Sequence, residues 1–264
     1  AGATPTAARS PGCGSTRASP IGEAMRTRGG RTFHVWGPAS YEPGRAYPVV
    51  LAFHGWGSNG RAFAGWFEMH EHVDGRAFTV YPDSSSSSWD FAGDRDLVFT
   101  EEILDALASA YCVDRARVLA LGFSYGARFV HHLGCKRPDL VRAIAAGGGS
   151  WDPEEGCAAP QHVLVLHRTR DATMPIGGGR DAALRWARID GCAGGEVSTE
   201  ATLGCSGHRG CAGGSVTFCE DTHHDATWPR SWNHTVREIH RRLAWTWFEE
   251  VSGGPGERGR GPAP

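Results

Sequence analysis

Residues 119–129 read LALGFSYGARF, and the way this run divides decides the fold. Its left half continues an apolar segment from Val118, the composition of a strand buried on both faces of a mostly parallel sheet. Its right half takes up a helical pattern from Gly126 to Lys136. Between them Gly122-Phe123-Ser124-Tyr125-Gly126 has the form G-x-S-x-G, in which a strained strand-to-helix turn exposes a serine hydroxyl. Glycines are needed on either side because strand and helix approach too closely there for a Cβ. In this context Ser124 is a candidate nucleophile; the plainer alternative is an ordinary glycine-rich βα turn.

The chain around the turn supports an open α/β sheet. Strands are expected at residues 32–36, 47–55, 77–83, 117–124, 141–149, 162–168 and 215–220, with VVLAF and VLVLH as continuous apolar runs. Helices fit between them at 97–111, 126–136, 179–190 and 233–250, the first carrying Leu97, Ile103, Leu104, Leu107 and Ala108 at helical spacing. Such alternation places ligands beyond the carboxyl ends of the strands. Asp96 is expected to cap the first of these helices, and the serine run at 84–88 to form a loop. No internal repeat is evident, so one domain is expected over residues 13–251, between flexible ends at 1–12 and 252–264 that are rich in Gly, Pro and Ala.

A serine hydroxyl is a weak nucleophile at neutral pH and needs a base in hydrogen-bond reach, itself oriented by an acid. In α/β-hydrolases these follow in the order Ser, acid, His. Asp171 lies just past the strand at 162–168 and is the favoured acid, ahead of Asp152 and Asp181, although aspartate also serves as a turn residue. For the base, CEDTHHDATWP at 219–229 supplies His223 and His224, whereas His234 and His240 fall inside the helix expected at 233–250. Backbone N–H donors for an oxyanion are expected from Tyr125, after the serine, and from Trp56 in the loop FHGWGSNG at 53–60, where His54 has a structural task.

Together AFHGWGSNG, FTVYPD, YCVDRARVLALGFSYGA, HRTRDATMP and the late histidines before Trp-Pro resemble the feruloyl esterase, acetylxylan esterase and polyhydroxybutyrate depolymerase group of α/β-hydrolases, from about Cys13 to the last helix. The resemblance implies Ser124 as nucleophile, Asp171 as acid and, at the last position of the tripeptide Thr222-His223-His224, His224 as base. The group often has Gly-Gly-His there, and a glycine where this chain has Ala127. It also implies secretion, a monomer, two-step acyl transfer without a metal or organic cofactor, and an ester substrate, foremost a hydroxycinnamoyl ester of plant cell wall polysaccharide. A polyester of the hydroxybutyrate type or an acetylated xylan is the alternative. Trp56, Trp89 and Trp228 stand in loops near the strand ends and could line the substrate site, core packing being the plainer reading of each.

Composition excludes other classes. With 40% hydrophobic and 21% charged residues over 264, the chain is an ordinary globular protein with a sizeable core, and no apolar run approaches the roughly 20 residues of a membrane span. A formal net charge of -2 gives no basic face for nucleic acid. Eight cysteines without a C-x-x-C pair read as disulfides formed in an oxidising compartment, with Cys205–Cys211 the best guess for a local bridge. Two readings from other classes stay open: a binding module on the same fold, inert to a fluorophosphonate, and a zinc hydrolase using Cys205, His208, Cys211, Cys219, His223 and His224 at a spacing that matches no common zinc pattern.

Overall fold

A computed structural model describes residues 9–151, 156–194, 197–200, 203–223 and 233–253. Its strands are β1 (Ile21–Arg26), β2 (Thr32–Trp36), β3 (Tyr47–Phe53), β4 (Phe78–Pro82), β5 (Val113–Phe123), β6 (Ala143–Gly147), β7 (His162–Arg168), β8 (Val197–Glu200), β9 (Cys205–Gly207) and β10 (Ser215–Asp221). The helices are α1 (Gly60–Phe67), α2 (Arg95–Ala110), α3 (Tyr125–Lys136), α4 (Ile176–Ile189) and α5 (Glu238–Ser252). All the strands join one sheet in the order β1-β2-β4-β3-β5-β6-β7-β10-β9-β8. From β4 through β10 the central pairs are parallel, and the edges β1, β2, β9 and β8 pair antiparallel.

The continuous apolar strands are continuous because both faces are covered. On β5, Val118 and Ala120 point into a core shared with α2, α3 and α4 through Leu104, Phe129 and Trp186. Leu119, Leu121 and Phe123, one step out of phase, point into a second core closed by Phe63 and Phe67 of α1 and Trp245 and Phe248 of α5. Every residue of β3 and β4 is likewise buried.

Four disulfides staple this frame: Cys13–Cys112, Cys135–Cys157, Cys192–Cys211 and Cys205–Cys219. The expected Cys205–Cys211 bridge does not form. Cys205 instead faces Cys219 directly across the antiparallel β9/β10 pair, which brings the two side chains together, and Cys211 reaches Cys192 beyond α4. The zinc reading falls with this, because Cys205, Cys211 and Cys219 are consumed in disulfides and offer no thiolate.

Three further expectations are corrected. Asp96 is the second residue of α2 and does not cap it; buried, it accepts hydrogen bonds from the Arg31 guanidinium and, at 2.6 Å, from the Asp90 amide. Ser10 and Gly12, ahead of the boundary expected at residue 13, already pack, with the Ser10 hydroxyl donating to the Tyr111 carbonyl at 2.8 Å. The last helix begins at Glu238, not at residue 233, so His234 lies outside it.

Candidate active site

The elbow forms where β5 ends and α3 begins. Ser124 holds the left-handed φ of 57°, which a non-glycine residue adopts only under constraint, and its amide donates to the Gly147 carbonyl on β6 at 2.9 Å. The glycines of the motif show why no other residue fits. A Cβ on Gly122 would lie 2.1 Å from the Gly126 carbonyl oxygen, and one on Gly126 would lie 2.0 Å from that of Phe53. The backbone on either side of Ser124 therefore crosses the end of the sheet at contact distance, and the serine sits at that crossing, 8% exposed.

The imidazole that meets Ser124 belongs to His234. Its Nε2 is 2.9 Å from Ser124 Oγ and its Nδ1 is 2.7 Å from Asp171 Oδ2. The Asp171 carboxylate can only accept, so Nδ1 carries the proton and Nε2 is left as the acceptor for the serine hydroxyl. The histidine chosen from the sequence, His224, lies outside the described residues, as does Trp228. Among the described residues, the histidine hydrogen-bonded to both Ser124 and Asp171 is His234, where the sequence favoured His224. His223 is exposed; its backbone amide donates to Asp221 at 2.9 Å and its carbonyl accepts from Arg168 at 2.8 Å.

Asp171 sits in the turn after β7, as its place in the sequence suggested. Its Oδ1 accepts the amides of Thr173 and Met174 at 2.9 and 2.8 Å, which leaves Oδ2 to face His234. His167 backs this turn. It donates from Nε2 to the Met174 carbonyl at 2.7 Å, lies 3.7 Å from Asp171 Oδ2, and burial holds its pKa below the usual histidine value. A neutral ring beside Asp171 leaves the carboxylate's charge to the His234 imidazole.

The loop after β3 closes the other side. His54 accepts the Ser84 amide at Nε2, 3.4 Å away, and so donates from Nδ1 to the Gly55 carbonyl at 2.7 Å; its task is structural, as expected. Gly55 presses against the elbow, and a Cβ there would lie 3.3 Å from that of Ser124. Trp56 follows directly, with its indole 67% exposed. Tyr125, as the first residue of α3, presents an amide that has no acceptor inside its own helix. Trp89, read as a possible substrate contact, is only 3% exposed: it stacks on Phe129 at 5.3 Å and donates from Nε1 to the His54 carbonyl at 2.8 Å. It holds the loop from beneath and offers no surface.

Sequence reasoning missed two side chains. Trp66 on α1 is 42% exposed and meets Phe123 edge-on at 5.4 Å, and Phe123 in turn lies 4.8 Å from the His234 ring. Asn59 followed by Phe63, Ala64 and Phe67 was the signal for α1, a cap before a helical apolar face. For His234, the signal was the apolar spacing of Ile239, Leu243 and Trp247, which starts only after residue 237.

A serine on a strand-to-helix elbow, an acid after a later strand of the same sheet and a histidine beyond the last strand define the α/β-hydrolase class. The comparisons with known proteins agree. The Esterase family model matches residues 24–236, a span that ends just past His234, and the chain belongs to this esterase family, whose members hydrolyse carboxylic esters. Feruloyl esterase C of Emericella nidulans is 27% identical over 217 residues, covering 75% of this chain and 79% of its own. Feruloyl esterase D of Neurospora crassa is 28% identical over 211 residues, with 72% of each chain covered. Among solved structures, the acetyl xylan esterase from Aspergillus awamori has a TM-score of 0.63 over 87% of this chain and 98% of its own, at 15% identity, a likeness of fold.

Proposed function

We propose that this esterase is a secreted serine hydrolase that cleaves hydroxycinnamoyl esters, of the feruloyl type, by way of an acyl-enzyme. The observation that carries the reading is the continuous hydrogen-bonded path from Ser124 through His234 to Asp171. His234 Nε2 takes the Ser124 proton as Oγ attacks the ester carbonyl, and Asp171 stabilises the imidazolium that forms. The backbone amides of Tyr125 and Trp56 receive the oxyanion, and the protonated His234 then hands its proton to the departing alcohol oxygen. Water, activated by the same nitrogen, releases the carboxylic acid and restores the serine.

The feruloyl preference is supported by the likeness in sequence to feruloyl esterases C and D. Secretion is supported by the four disulfides, which persist in oxidising surroundings, and no helix among the described residues is long and apolar enough to cross a membrane. The test has two arms. Ser124→Ala should abolish turnover of a short p-nitrophenyl ester, and near-wild-type activity would end the serine mechanism. The wild type should turn over methyl ferulate in preference to a hydroxybutyrate oligomer; activity on the oligomer alone would replace the substrate class and keep the mechanism.

A further inference from the structure

Asp221 is the last residue of β10, is 3% exposed, and takes no part in the reaction described above. Its surroundings are nonetheless built with care. Oδ1 accepts the His223 amide at 2.9 Å, and Arg237 Nη1 bridges both carboxylate oxygens at 2.9 and 3.0 Å. His240 Nε2 is 3.1 Å from Oδ2 and Arg168 Nε is 3.6 Å from it. The backbone carbonyl of Asp221 accepts the Thr169 amide at 3.0 Å, within the turn that leads to Asp171. The His240 tautomer is fixed, because its Nδ1 accepts the Arg237 amide at 3.2 Å and the remaining proton must therefore sit on Nε2 and point to Asp221.

Three of these partners belong to the two chain segments that carry His234 and Asp171. Arg237 stands three residues beyond His234, and between them Val236 packs against Gly147, whose carbonyl receives the Ser124 amide. Arg168 and Thr169 open the turn that ends in Asp171. A buried ion pair adds little net stability, since desolvation offsets the attraction, and a well-packed apolar cluster would serve as well for that purpose. What directed hydrogen bonds to a carboxylate supply that apolar packing does not is a single geometry. An imidazole that must lie within hydrogen-bond reach of two partners at once needs that restriction.

We propose that Asp221, acting through Arg237 and His240, is a positioning residue that sets the place of His234 between Ser124 and Asp171. The inference rests on the triad reading above. Its test compares Asp221→Asn, Arg237→Gln, Arg237→Lys and, as a control, Arg180→Gln, which breaks the neighbouring Arg180–Glu220 pair (2.9 Å) on the outer side of the same strand. Each is assayed for kcat and KM on p-nitrophenyl acetate, for the rate of inactivation by a fluorophosphonate, and for Tm. Asp221→Asn and Arg237→Gln should lower kcat and the inactivation rate by about 10- to 100-fold with KM held within about 2-fold, the signature of a displaced base. Arg237→Lys restores a cation in reach of Asp221 and should recover most of the loss, while Arg180→Gln should keep full activity. A fall in Tm with unchanged kcat in Arg237→Gln would reduce the cluster to a structural role and overturn the proposal, even if Asp221→Asn fails to fold. Ser124→Ala is run beside them. Were it fully active, the triad reading itself would fail; were it inactive with the Arg237 variants at full rate, only the positioning role would.

Discussion

The ring of Phe123 lies 4.8 Å from that of His234 and is tilted 38° to it, so the residue before the serine also supports the imidazole that faces it. Phe123→Leu keeps bulk and loses the flat surface, and should lower kcat about 10-fold with a small change in KM. Phe123→Ala should in addition cost about 3–5 kcal/mol of stability in urea denaturation, because it opens a cavity under both His234 and Trp66. Full activity in the leucine variant would mean that His234 is held from elsewhere.

His234→Ala should lose several orders of magnitude in kcat, since Ser124 is then left without a base. His224→Ala should keep most of its activity. Titrating the esterase reaction of both variants with a p-nitrophenyl ester is sufficient, and the reverse pattern would return the base to His224.

How far the sequence alone reached can be seen in these two histidines. Ser124 and Asp171 were legible because each is tied to the end of a buried strand, and a strand is marked by its own apolar run. His234 rides a long connection, and its position is fixed by tertiary contacts such as Val236 on Gly147 and Arg237 on Asp221, which leave no local pattern. The same division holds for the fold. The central strands β3 to β7 and β10 stand close to where their composition placed them, whereas β1, with Ile21 exposed, and the short β8 and β9 are edge strands without a buried run and escaped notice. Helix α1 was hidden by Gly60 and Gly65.

The Cys13–Cys112 bridge spans a sequence separation of 99 and anchors the chain at the opposite end of β5 from Ser124. By the chain-entropy account a loop of ~100 residues contributes about 4–5 kcal/mol. Replacing both cysteines by serine should therefore lower Tm by about 10 °C or more, with kcat at 25 °C unchanged. Scanning calorimetry beside an activity assay tests both halves; a matching loss of kcat would show that the bridge reaches the site.

Two buried carboxyl groups set opposite pH dependences. Burial works against the charge of Asp221, but hydrogen bonds from His240 and the His223 amide, with the Arg237 charge, pull its pKa from 3.8 down to about 2. Its ionised form therefore favours the folded state above pH 4, and that effect is lost as the pH falls from about 4 to about 2. Asp190 is the reverse case. Burial, only partly offset by the Gln161 amide, raises it to about 6, and its Oδ2 has no hydrogen-bond partner among the described residues. Charging it costs stability as the pH rises from about 4 to about 6, against the gain over the same range from the His131 and His162 imidazoles, which burial pulls down to about 3 and about 4. In a series of melts from pH 3 to 8, the Tm of Asp190→Asn should therefore gain on that of the wild type as the pH rises from about 4 to about 6; a constant difference across that range would exclude Asp190 as the source of the loss.

Trp66 stands on the His234 side of the site, where the proposed mechanism releases the alcohol. A half-exposed indole at that point is suited to stack on a sugar face. Trp66→Ala should thus reduce kcat/KM for a feruloylated arabino-oligosaccharide about 10-fold while methyl ferulate, which has no sugar, is affected by less than about 2-fold. Equal losses on both substrates would assign Trp66 to the support of Phe123 alone.

The backbone crossing at Gly122 and Gly126 has a consequence for any survey of mutations. A Cβ at Gly122 or Gly126 would sit 2.1 or 2.0 Å from a carbonyl oxygen, far inside van der Waals contact, so neither site admits even alanine without moving the strand or the helix. In a saturation library screened for ester hydrolysis, these two positions should be as intolerant as Ser124 although neither touches a substrate. A covalent probe of the serine would tell them apart: alanine at 122 or 126 removes labelling by removing soluble protein, and alanine at 124 removes labelling from protein that is still there.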